Sequence, residues 1–148
     1  MSDLRPLRVL IVEDEGLIAM DIEATVEDEG HVVAGWATSA EEAISMVDAV
    51  DADLVFLDIH LLNGTSGIDV ADHMVMQGQT NFIFITANPA MVQPDYRGAI
   101  GVLAKPFTHA RLVGTLRYLQ EGVLAPPPSD EPPAGLSLAP HYRTNWQN

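Results

Sequence analysis

The chain has 148 residues, 47% of them hydrophobic, no cysteine, and a formal net charge of −14 from 21 acidic and seven basic side chains. That composition supports one folded core plus a short extension, and it excludes a disordered polyelectrolyte, a disulfide framework and a cysteine-based metal site. Scattered basic residues on so acidic a chain speak against direct DNA binding, which draws on clustered phosphate contacts. No stretch reaches the ~18 apolar residues of a membrane span or resembles a signal peptide, so the expected location is cytoplasmic.

Residues 7–12 form a β-branched apolar run ending in Glu13-Asp14-Glu15, and Ile18, Met20, Ile22 and Val26 then recur at roughly helical spacing up to Gly30. The pattern predicts a strand followed by a helix. It continues as a strand over 31–37, a helix over 40–50 with Ser39 as its N-cap, a strand over 54–57 and a helix over 67–77. Further strands are predicted over 82–86 and 100–104. The last helix is predicted over 108–121, with Leu112, Leu116 and Leu119 on one face. Five strands alternating with helices imply an α/β fold, a parallel sheet covered on both faces.

The fourth crossover departs from this rhythm. Only thirteen residues separate Thr86 from Ile100, and Pro89 and Pro94 fall among them, so a short or broken fourth helix is expected. Residues 1–121 are read as the domain and 122–148 as a mostly extended tail, because six of the ten prolines fall in those last 27 residues. Leu136, Leu138, Tyr142 and Trp146 give that tail the means to dock on the domain or on a partner. Leu116, Leu119, Leu124, Leu136 and Trp146 together suggest a homodimer through the last helix and tail.

In an open parallel sheet, ligands bind beyond the carboxyl ends of the strands. The strand ends here supply Glu13 and Asp14, Asp58, Thr86 and Lys105. Three carboxylates brought together repel one another unless a cation compensates, and oxygen ligands of this hardness suit Mg²⁺. Lys105 is the sole lysine, placed at a strand end to pair with an anion, and Thr86 can donate its hydroxyl to the same oxygens. Together they form a phosphoryl cradle.

Four segments carry a resemblance: Leu10-Ile11-Val12-Glu13-Asp14-Glu15, Val55-Phe56-Leu57-Asp58, Ile85-Thr86-Ala87 and Leu103-Ala104-Lys105-Pro106-Phe107. In this order they resemble the receiver domain of two-component response regulators over residues 7–121, and more narrowly the single-domain regulators found beside sensor kinases, including phytochrome-type ones. The resemblance implies a flavodoxin-like (βα)5 fold in which Asp58 takes a phosphoryl group from a histidine kinase, a phosphotransfer protein or acetyl phosphate. It further implies that Glu13, Asp14, Asp58 and the backbone carbonyl of His60 hold Mg²⁺, that Thr86 closes on the phosphoryl group and that Lys105 pairs with it. Output would pass through protein contacts, with no turnover of external substrates.

Departures from the family pattern are also legible. Val102 stands three residues before Lys105, where these domains usually carry an aromatic switch residue, and the loop after Asp58 lacks proline and has one residue more than the common form. Two other readings are open: an Mg²⁺-dependent phosphatase with an aspartyl-phosphate intermediate, and a pseudo-receiver that only binds a partner. The first wants a carboxyl general acid two residues beyond the nucleophile, where this chain has His60. The second leaves the acidic pocket without a use. His60 is also a candidate modulator of dephosphorylation. Asn63-Gly64-Thr65 matches a glycosylation sequon but reads as a turn, and no nucleotide-binding glycine motif occurs.

Overall fold

In the computed structural model, residues 4–92 and 95–144 are described. The first two strands and helices are β1 (Arg8–Val12), α1 (Gly16–Asp28), β2 (Val32–Ala37) and α2 (Ala40–Ala49). They are followed by β3 (Leu54–Leu57), α3 (Gly67–Met76), β4 (Phe82–Thr86) and β5 (Gly101–Ala104). The last described elements are α4 (His109–Leu124), β6 (Leu136–Leu138) and α5 (Pro140–Thr144). The sheet runs β2-β1-β3-β4-β5-β6, with the first five strands parallel and β6 antiparallel to β5.

Period-two alternation sends side chains to both faces. Val9 and Ile11, Leu54 and Phe56, and Ile83 and Ile85 enter one apolar layer with Ile22 and Val26 of α1 and Leu112, Leu116 and Leu119 of α4. Their neighbours Leu10 and Val12, Val55 and Leu57, and Phe82 and Phe84 pack under Ala43 and Val47 of α2 and Val70 and Met74 of α3. Burial on both faces is why these strands read as unbroken apolar runs. Met20, placed by spacing with the inward residues of α1, is instead 63% exposed.

Side-chain oxygens start three helices. Ser39 accepts from the Glu42 N–H, Ser66 from Ile68 and Thr108 from Arg111. Each bond satisfies a donor that the first helical turn leaves without a partner. The expected fourth helix is replaced by two 3-10 turns, Pro89–Met91 and Tyr96–Gly98, while Pro94 lies outside the described residues.

The five-strand expectation needs correction, because the sheet has six. Leu136-Ser137-Leu138 is too short for periodicity to reveal, and it becomes a strand because β5 offers it an open edge. Leu103, Val102 and Gly101 pair with Leu136, Ser137 and Leu138, and Ala139 is fully buried beyond them. The tail is therefore part strand and part helix. The leucines that suggested a dimer seam are spent inside the protomer: Leu116, Leu119 and Leu136 are buried, and Leu124 packs partly buried against the same layer. Trp146 lies outside the described residues.

Candidate functional site

The order β2-β1-β3 puts the switch in strand direction of travel between β1 and β3, so the residues following these two strands share one crevice. The backbone N–H of Glu13 donates to Ala37 at 3.0 Å and that of Asp58 to Val12 at 2.9 Å, which continues the ladder one residue past the strands and fixes both side chains. One carboxylate oxygen from each of Glu13, Asp14 and Asp58 lies within 4.8 Å of the others. An all-oxygen, acidic donor set of this compactness fits a hard divalent cation such as Mg²⁺.

Lys105 arrives from the end of β5. Its Nζ donates to Glu13 Oε1 at 2.6 Å and to Asp58 Oδ2 at 3.0 Å, with the lysine side chain only 11% exposed. Its own N–H is held by the Thr86 carbonyl at 2.9 Å. Asp58 Oδ1 accepts from the Ile59 N–H at 2.7 Å. Burial pushes the Glu13 carboxyl up to about 7; the Lys105 hydrogen bond opposes this and the neighbouring Asp58 reinforces it. For Lys105, burial pulls the ammonium downward, but hydrogen bonds to Glu13 and Asp58 outweigh it and leave the group above its ordinary value. Two of the three acidic side chains, Glu13 and Asp58, thus share one ammonium, and Glu13, the more buried of them, resists ionisation.

Thr86 is fully buried at the end of β4, and its Oγ1 accepts from the Asn88 N–H at 3.0 Å. His60 is exposed, pairs by its backbone with Ser66 in an isolated bridge, and brings its ring Nε2 to 3.3 Å from Asn88 Nδ2. All residues singled out by the sequence therefore stand at the same end of the sheet. A cavity of about 760 Å³ lined by His31, Arg117 and Tyr118, among others, contains none of them.

Sequence reasoning overlooked four neighbours. The Trp36 Nε1 donates to the Glu13 carbonyl at 2.7 Å and buttresses it from β2. Glu15 donates its N–H to Glu13 Oε2 at 3.3 Å. Asn88 links Thr86 to His60, and its position just past a strand end was the available signal. Gly67 opens α3 against the Asp58 backbone, where any Cβ would collide with the Asp58 carbonyl oxygen. The turn before it uses Asn63 at φ 62° and Gly64 at φ 70°, the left-handed region that these two residue types tolerate best.

Among the described residues, no helix is long and apolar enough to cross a membrane. Residues 9–117 match the model of the response regulator receiver domain. The chain is 40% identical over 106 residues to the phyllosphere-induced regulator PhyR of Methylorubrum extorquens, covering 70% of this chain and 40% of that protein. It is 32% identical over 111 residues to the transcriptional regulatory protein PdtaR of Mycobacterium tuberculosis, covering 73% of this chain and 54% of that one. It therefore spans about half the length of these curated relatives. The receiver domain of Erythrobacter litoralis PhyR superposes with a TM-score of 0.67 at 32% identity, over 84% of this chain and 97% of that domain. With the strand order, the acidic crevice and the family match in agreement, the chain belongs to the response regulator receiver family.

Proposed function

We propose that Asp58 accepts a phosphoryl group from a histidine kinase, a phosphotransfer protein or a small donor such as acetyl phosphate, and that the modified chain acts in the cytoplasm as a switch through protein contacts. The observation that carries this reading is the convergence on Asp58 of the sole lysine and of Glu13, at the mouth of the sheet. An Asp58 carboxylate oxygen attacks phosphorus, the donor's P–N or P–O bond breaks with its electron pair leaving on the donor, and an acyl phosphate forms. Little covalent work is asked of the protein, so positioning and charge neutralisation dominate.

Lys105 already spans Glu13 and Asp58 and holds the positive charge that a phosphoryl oxygen needs. The Thr86 hydroxyl, at the end of the adjoining β4, supplies a second donor. Mg²⁺, when bound, would offset the charge of the carboxylates and of the transferring group. Glu13, Asp14 and Asp58 would hold it, together with the His60 backbone carbonyl. The residue two beyond Asp58 is His60, whose ring contacts Asn88, so no carboxyl stands ready as general acid and a turnover phosphatase is not favoured. The net charge of −14 also disfavours DNA as a direct partner.

The test is intact-mass measurement after incubation with acetyl phosphate and Mg²⁺. One added phosphoryl group is expected on the natural chain and none on Asp58→Asn. Equal labelling of both removes the assignment.

A further inference from the structure

The glycines of this chain mark a surface made to receive its own C-terminal segment. A Cβ at Gly101, the first residue of β5, would collide with the Ser137 carbonyl oxygen of β6. One at Gly122 would collide with Tyr142 Oη, and one at Gly114 would stand 3.2 Å from Pro133 Cβ. Gly114 and Gly122 both lie within α4, where glycine is a poor helix former, and both face the tail. Gly135, at φ 90°, turns the chain into β6 beside Arg111 and Leu103. The hold itself is short: three register pairs, flanked by an Ala104 N–H to Gly135 carbonyl bond of 3.4 Å and an Ala139 N–H to Ile100 carbonyl bond of 2.8 Å.

The strand gripped in this way is the one that carries Lys105. Leu103, paired with Leu136, lies two residues before the lysine, and Ala104 pairs with Thr86 on the other side. Val102 sits in one buried layer with Ala139, Tyr96 and Phe84, and Tyr142 packs against that layer. Resting on the reading of Asp58 as a phosphoryl acceptor, we propose that residues 135–142 form a strap on β5 whose grip loosens when Asp58 is phosphorylated.

In the unmodified site the Lys105 ammonium is shared between Glu13 and Asp58, and the Thr86 Oγ1 is engaged by the Asn88 N–H. A phosphoryl group places additional charged oxygens beyond the Asp58 carboxylate and draws both donors toward it. Thr86 and Lys105 end adjacent strands, so the pull falls on the carboxyl ends of β4 and β5 and away from β6. The shorter of the two strands paired with β5 is the three-residue β6, and it takes up the change. Released, it leaves the outer N–H and C=O groups of β5 as an open strand edge, a template for a partner's strand.

The experiment is hydrogen–deuterium exchange on the full chain with Mg²⁺, with and without acetyl phosphate, and intact mass read from the same samples. Peptides covering 135–142 are expected to exchange about tenfold faster in the modified protein, within the usual range of coupling between two sites. Added phosphoryl mass with unchanged or slower exchange overturns the strap. Absence of added mass overturns instead the acceptor reading beneath it, and the mass channel separates the two failures.

Coupling is reciprocal, so displacing the strap should favour phosphorylation. Gly101→Val, which obstructs Ser137 without touching the site, is expected to reach a higher phosphorylated fraction at limiting acetyl phosphate, and an equal or lower fraction counts against the proposal. If that variant fails to fold, Gly122→Leu obstructs Tyr142 from α4 instead, and the exchange measurement on the natural chain decides in either case.

Discussion

Replacing Glu13 with glutamine should make the metal-free protein more stable at neutral pH, and the gain should vanish in acid. Glu13 is 1% exposed, and burial raises its carboxyl from the ordinary 4.5 to about 7. A group whose folded value lies above its unfolded value binds its proton more tightly when folded. Its contribution to stability is fully present below pH 4.5 and is lost as pH rises through about 7. At about 1.4 kcal/mol for each pH unit, the whole displacement amounts to about 3 kcal/mol. Glutamine imitates the protonated acid at every pH. Urea unfolding of both proteins in EDTA, from pH 4 to pH 8.5, should therefore give equal stabilities at the acid end and a difference approaching about 3 kcal/mol at the alkaline end. Taking the difference between the two curves cancels His31 and the other groups that titrate alike in both. A difference that does not change with pH would mean that the Glu13 carboxyl is no harder to ionise in the folded site than in the unfolded chain.

Gly67→Ala should destabilise the fold by about 1–3 kcal/mol in chemical denaturation, because the new Cβ meets the Asp58 carbonyl and no side-chain rotation relieves it. Unchanged stability would show that α3 can retreat without cost. His31 accepts the Leu7 N–H on Nδ1 at 3.0 Å, and burial holds its imidazole below the ordinary 6.5. The stability it contributes is present above pH 6.5 and is lost as pH falls through the depressed value. His31→Leu should accordingly cost about 1–3 kcal/mol at pH 8 and less at pH 5, measured by urea unfolding at the two pH values. Ser39→Ala removes the oxygen that accepts from Glu42 at the start of α2 and should cost about 1 kcal/mol in the same assay.

The candidate site residues could be read in the sequence because each is the first or second polar side chain at the end of an apolar strand. Glu13, Asp14, Asp58, Thr86 and Lys105 are ordinary one at a time, yet a parallel α/β sheet delivers every such position to the same edge. The apolar layers were legible for the same reason, since strands buried on both faces leave continuous runs such as Val9–Val12. Trp36, Asn88 and Gly67 were not visible in this way. Their roles depend on which backbone atom they meet: the Glu13 carbonyl, the Thr86 hydroxyl and the Asp58 carbonyl.

The strand and helix alternation, the acidic crevice and its charge are legible along the chain, because they follow from residue type and short-range period. The tertiary structure alone decided the fate of the last residues. Three residues carry no usable period, and prolines in 126–133 point to an extended chain. Whether Leu136–Leu138 becomes a strand depends on the outer edge of β5 being open and on Gly101 leaving room for Ser137. An unpaired strand edge presents hydrogen-bonding groups that must find partners, and here they find them in the chain's own tail.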